Sequence, residues 1–139
     1  MLHLVMDYRS NNYWQVKETK MVKGQQLKIL AFQLLRGLCH LHALHIMHRD
    51  LSVEHVLVDE RLQLAICDLG NAKHLVLNQP SACYLGHRYY RAPELIFGSE
   101  HYTESIDLWA AGCVLAELML GRPLFKGSST EDQLVTFSI

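Results

Sequence analysis

The feature that most constrains this chain is the segment from Thr103 to Leu120. Ile106, Leu108, Trp109, Ala110, Val114, Leu115, Leu118 and Met119 fall nearly all the way round a helix there. A helix apolar on every side is central and buried, so the rest of the chain must wrap around it. Thr103 supplies an N-cap, Gly121 ends the helix, and Pro123 stands just beyond. A second helix is expected over residues 25–45. Leu27, Leu30, Leu34, Leu38 and Leu41 repeat at three or four, with Leu35 and Leu44 flanking the stripe.

The composition agrees with a packed core. Of the 139 residues, 50% are hydrophobic and 19% are charged, which excludes disorder as the dominant state and allows one domain. The net charge of −1 gives no basic field for nucleic acid. No apolar run approaches the ~20 residues of a membrane span, and residues 1–8 do not read as a secretory signal. Cytoplasmic and/or nuclear localisation is the expectation. The four cysteines show no CxxC pair and read as free thiols. His40, His42, His45 and His48 crowd together but do not share one helix face. No cysteine or carboxylate pattern completes a zinc set, so they read as ordinary surface and core histidines.

Between the two helices the pattern changes. Residues 46–52 are polar and charged and read as a loop. Residues 55–58 and 62–67 are β-branched and apolar around Asp59-Glu60-Arg61, which predicts a hairpin. Residues 68–81 are irregular, and Arg91-Ala92-Pro93-Glu94 starts a short helical piece. Residues 3–6 suggest a strand, and a short helix is expected around residues 14–21. The fold class is mainly α with a small antiparallel hairpin.

Three strings carry the chemistry: His48-Arg49-Asp50-Leu51-Ser52-Val53-Glu54-His55, then Asp68-Leu69-Gly70, then Ala92-Pro93-Glu94. Each is weak alone. Their order, with a hairpin between the first two, resembles the catalytic loop, metal-binding turn and activation segment of the protein kinases. The stretch from Tyr102 to Glu117 resembles the buried central helix of the kinase large lobe. Arg88-Tyr-Tyr-Arg-Ala-Pro-Glu-Leu-Ile-Phe-Gly98, Gly112-Cys-Val-Leu-Ala-Glu-Leu118, Asn71-Ala-Lys73 and Leu4-Val-Met-Asp-Tyr8 resemble the glycogen synthase kinase 3 family, within the CMGC group of serine/threonine kinases. The likeness runs to about Val135.

That resemblance implies a partial kinase-like C-terminal lobe (α+β). Residues 1–8 would be the last small-lobe strand and hinge, and residues 9–139 an incomplete large lobe. ATP and Mg²⁺ are the implied cofactors, with protein substrates or a full-length kinase as partners. Asp50 takes the role of the catalytic aspartate that accepts the substrate hydroxyl proton, and Asp68 that of the magnesium ligand. Asp7 and Tyr8 match the adenine-binding hinge and Leu57 the floor of that pocket. His48, Leu69 and Asp107 match an interior stack tying the loops to the central helix. Arg49 and Lys73 match two of three cations that grip a phosphate on the substrate or the activation segment. Tyr84 matches the phosphorylated tyrosine. Glu94 matches an acid whose arginine partner lies farther along than Ile139.

Two positions depart from the family. His55 stands where the family has asparagine, the second magnesium ligand; imidazole nitrogen favours zinc or copper over a hard ion. Ser52 stands where the family has the lysine that neutralises the transferring phosphate. Losing one such contact costs on the order of 10²–10³ in rate. The Gly-rich loop and the strand lysine that clamp the nucleotide phosphates are also not found ahead of residue 8. Three readings follow: a non-catalytic, pseudokinase-like lobe; a piece of an active serine/threonine kinase acting on primed protein substrates; and a decayed copy without a stable fold.

Overall fold

The structure is a computed structural model that describes residues 24–76 and 79–138. The expected strand at 3–6, the helix near 14–21, and Asp7 and Tyr8 lie outside the described residues.

Helix α1 spans Gln25–Ala43 and buries Leu30, Leu34 and Leu38 completely. These three stand four apart on one face, and burying each is worth roughly 1.5–3 kcal/mol. The helix stops two residues short of the expected end. Leu44 donates to carbonyls of the last turn, and His45 turns left-handed at φ 55, which redirects the chain.

That turn leads into strand β1, Ile46–Met47, where the sequence suggested only loop. Met47 is fully buried against Ala92, Leu95, Tyr102 and Ile106, and this holds the segment extended. Strand β2, Val56–Val58, pairs antiparallel with β3, Leu64–Ile66, in the register Val56↔Ile66, Leu57↔Ala65 and Val58↔Leu64. This is the expected hairpin with a wider turn. Asp59 Oδ1 accepts the backbone N–H groups of Arg61 and Gln63 at 2.9 and 2.8 Å. Strand β4, Lys73–His74, returns to pair antiparallel with β1, Met47 facing Lys73. This second pair was not read from sequence; two residues are too few to show a period.

Short helix α2, Pro93–Ile96, leads to α3, Ser105–Leu120. Gly121 closes α3 at φ 71 and donates to the Glu117 carbonyl at 2.8 Å, as expected of a C-cap. Helix α3 lies between two apolar clusters. Ala110, Ala111, Cys113, Val114 and Leu118 pack with α1 and the hairpin, and Ile106 packs with Met47 and α2. Its burial is one-sided in part: among the described residues Leu108, Met119 and Leu120 stay exposed. Helix α4, Thr130–Thr136, is capped by Ser129 Oγ, which accepts the Asp132 N–H at 3.1 Å. It docks through Phe137 and Phe125 on Trp109, with ring centroids 4.8 to 5.8 Å apart.

Candidate active site

The loop after β1 is fixed from below by α3. Asp107, 1% exposed, accepts the backbone N–H of His48 at 2.8 Å and of Arg49 at 2.9 Å. His42 of α1 donates from Nε2 to the same carboxylate at 2.9 Å. These bonds hold Arg49 at φ 66, a left-handed conformation unusual for a residue with a Cβ. His48 is fully buried. Its Nε2 faces the Cys67 carbonyl at 3.0 Å, which can only accept, so the proton sits on Nε2. Its Nδ1 then accepts the Asp50 N–H at 3.3 Å. His48 and Asp107 therefore tie the loop to both the hairpin and the central helix.

Leu69 is a correction. It does not join that interior stack but lies 52% exposed, beside Gln33, Gly37, His40 and Leu41 of α1. Asp68 at φ 59 starts a tight 3-10 turn over Leu69–Asn71, which swings the leucine outward.

Asp50 is held at both oxygens. Oδ2 accepts Asn71 Nδ2 at 2.9 Å, and Oδ1 accepts the His87 N–H at 3.1 Å. Gly86 makes this approach possible: its φ is 74, and a Cβ there would meet the Arg49 carbonyl oxygen at 2.8 Å. His55 sits between two acids. Its Nδ1 is 2.6 Å from the Asp50 carbonyl oxygen and 4.0 Å from Asp50 Oδ2, and its Nε2 is 3.4 Å from Asp68 Oδ2. The Asp68 side chain is 57% exposed, and its Oδ1 accepts the Gly70 N–H at 3.1 Å. Ser52 is fully buried, and its hydroxyl has no partner among the described residues. A serine here turns into the core and offers no charge at the site.

The two cations meet one stretch of chain. Lys73 Nζ donates to the Pro80 carbonyl at 3.2 Å and to Ser81 Oγ at 2.8 Å. Arg49 donates to the Asn71 carbonyl at 2.6 Å and to Tyr102 Oη at 3.3 Å, while Tyr102 donates onward to the Ala82 carbonyl at 2.5 Å. Tyr84 is 68% exposed, with the Arg91 guanidinium 4.3 Å from its ring centroid. Hydrogen bonding from Thr130 first, then from Arg91 and Arg88, holds its phenol below the usual range. Leu57 alternates away from the core side of β2, which Val56 and Val58 occupy. Glu94 is half-buried, and its carboxylate makes no hydrogen bond or ion pair among the described residues.

Asn71, Gly86, His87, His42 and Tyr102 were not read as site residues. Gly86, a lone glycine just before the Arg88-Tyr-Tyr-Arg string, was the one local signal available.

The protein kinase domain family matches residues 1–137. The chain belongs to the protein kinase domain family. It is 48% identical over 123 residues to "Protein kinase gsk31" of Schizosaccharomyces pombe, which covers 88% of this chain and 32% of that protein. The chain thus spans about a third of the length of this curated relative. The match supports the resemblance to glycogen synthase kinase 3 read from the motifs.

ATP and Mg²⁺ are the general cofactors of protein kinases. Asp68, an exposed carboxylate on a tight turn, is a hard oxygen donor that fits magnesium. His55 does not fit the second magnesium position. It offers a nitrogen where an amide oxygen is required, and its ring fills the space between Asp50 and Asp68.

Proposed function

We propose that this chain carries the phosphotransfer site of a serine/threonine protein kinase of the glycogen synthase kinase 3 type in a catalytically impaired, pseudokinase-like form. The observation that carries the reading is the seating of His55 between the Asp50 and Asp68 side chains. The two acids of the kinase reaction are kept, but an imidazole stands where the metal-binding amide belongs. Ser52 supports it, because a buried hydroxyl cannot neutralise a transferring phosphate. On this reading Asp50 orients a protein hydroxyl, and Asp7, Tyr8 and Leu57 belong to the adenine pocket. Arg49 and Lys73 bind a phosphate, and Tyr84 is a phosphorylation site flanked by Arg88 and Arg91. The partners are protein substrates or a full-length kinase, in the cytoplasm and/or nucleus.

A second reading, an active kinase for primed protein substrates, is favoured by one observation. Arg49 and Lys73 reach the same three residues, 80–82, directly or through Tyr102. A titration of the chain with ATP, with and without Mg²⁺, separates the two. The impaired form predicts weak binding that magnesium does not strengthen. Tight, magnesium-dependent binding contradicts it. No helix among the described residues is long and apolar enough to cross a membrane.

A further inference from the structure

We propose that Ser81 is a phosphorylation site whose phosphate is held in cis by Lys73 and Arg49, so that the chain fills its own phosphate subsite. The inference deepens the reading of Arg49 and Lys73 given above and rests on it.

Both cations are without an anion. Lys73 Nζ donates to the Pro80 carbonyl at 3.2 Å and to Ser81 Oγ at 2.8 Å. The Arg49 guanidinium donates to the Asn71 carbonyl at 2.6 Å and to Tyr102 Oη at 3.3 Å. These acceptors are all neutral, and neither cation makes an ion pair among the described residues. A half-buried cation has given up part of its hydration, and a charged acceptor restores more of that loss than a neutral one. The sequence supplies none locally. Between Asp68 and Glu94 there is no acidic residue, whereas Lys73, Arg88 and Arg91 all fall in that stretch.

Ser81 is placed to supply the anion. Tyr102 accepts from Arg49 and donates to the Ala82 carbonyl at 2.5 Å, so both cations converge on residues 81 and 82. The Ser81 N–H donates to the Glu100 carbonyl at 2.8 Å, which fixes the backbone there. Lys73 can only donate, so the Ser81 hydroxyl accepts from it and keeps its own proton uncommitted. Neighbouring Ala82 and Tyr84 are exposed, and residues 79–87 form neither helix nor strand, a stretch that a second kinase can take up in extended form. In the transfer, Ser81 Oγ bonds to the γ-phosphorus of a nucleoside triphosphate held by a separate serine/threonine kinase. The bond from that phosphorus to its bridging oxygen breaks, the nucleoside diphosphate leaves, and the hydroxyl proton passes to that kinase's base. The product carries about −1.5 to −2 charge and three acceptor oxygens, enough to engage Lys73 and Arg49 together. Once modified, the subsite is closed to a phosphate on another chain.

The test uses the full chain with phosphoserine installed at position 81 during synthesis, and follows the ³¹P signal against pH. The expected midpoint lies about one pH unit or more below that of free phosphoserine, because nearby cations favour the dianion. Lys73→Gln brings it back toward the free value, and Lys73→Arg keeps it low. A midpoint equal to that of free phosphoserine overturns the proposal, as does one that Lys73→Gln leaves unmoved. Mass spectrometry of the chain from its own cells, across the tryptic peptide 74–88, is expected to find phosphate on Ser81; phosphate on Tyr84 alone overturns the assignment. Inorganic phosphate added to the unmodified chain separates this inference from the reading beneath it. If inorganic phosphate binds and needs Lys73 while phosphoserine 81 titrates as if free, the cation pair stands and Ser81 falls. If neither phosphate is held, both fall.

Discussion

Asp107 on α3 accepts the Arg49 backbone N–H at 2.9 Å, across 58 positions of sequence, and fixes the left-handed turn that aims the next residue, Asp50. The same carboxylate takes the His48 N–H and the His42 ring. Asp107→Asn keeps one acceptor oxygen but turns an NH₂ group toward a backbone donor. We expect a loss of about 2–4 kcal/mol in urea unfolding, since a buried charge-assisted bond is broken and a donor left unpaired. An unchanged midpoint would contradict this role.

Gly86 allows the segment that carries His87 to lie on the loop that carries Arg49 and Asp50. Its φ of 74 and the 2.8 Å approach to the Arg49 carbonyl leave no room for a methyl group. Gly86→Ala is expected to cost about 1–3 kcal/mol. It should also free the His87 amide, which now donates to Asp50 Oδ1. Hydrogen exchange at His87 reads the effect: faster exchange in the variant is predicted, and equal exchange argues against the contact.

The thiols differ in a way that pH reveals. Burial, with the Glu117 carboxylate nearby, pushes Cys113 up to about 12 from an ordinary 9.0. In the unfolded chain the thiol ionises at its ordinary value, so between these limits the folded state holds more protons. The contribution of Cys113 is complete below pH 9 and fades as pH rises toward 12. Burial first and Asp68 second also raise Cys67, and this adds to the same slope. Cys113→Ala should flatten the fall in urea midpoint above pH 9. A maleimide near neutral pH should label exposed Cys39 and spare Cys113 until the chain unfolds. Equal labelling of the two would refute the buried placement.

Much of the frame was legible because it is periodic. Leu30, Leu34 and Leu38 announced the buried face of α1, and Gly121 announced the end of α3. The hairpin was visible from its β-branched runs. What was not legible depends on contacts far apart in sequence. The pairing of Met47 with Lys73 follows from burial of Met47 against α2 and α3, which no local pattern shows. Leu69 was expected inside because it matches a position of the family's interior stack; the turn set by Asp68 sends it outward. At the site, Asp50, His55 and Asp68 were named from the motifs. Their mutual placement, and the Asn71 and His87 donors that hold Asp50, arise only when the chain folds back on itself.

The central claim is that the acids of the site persist while its phosphotransfer chemistry is lost. The most direct measurement is phosphate incorporation from Mg·ATP into a protein substrate by the full chain, with Asp50→Asn alongside. The account predicts no incorporation above the Asp50→Asn background. Sustained, magnesium-dependent incorporation that disappears in Asp50→Asn would contradict it.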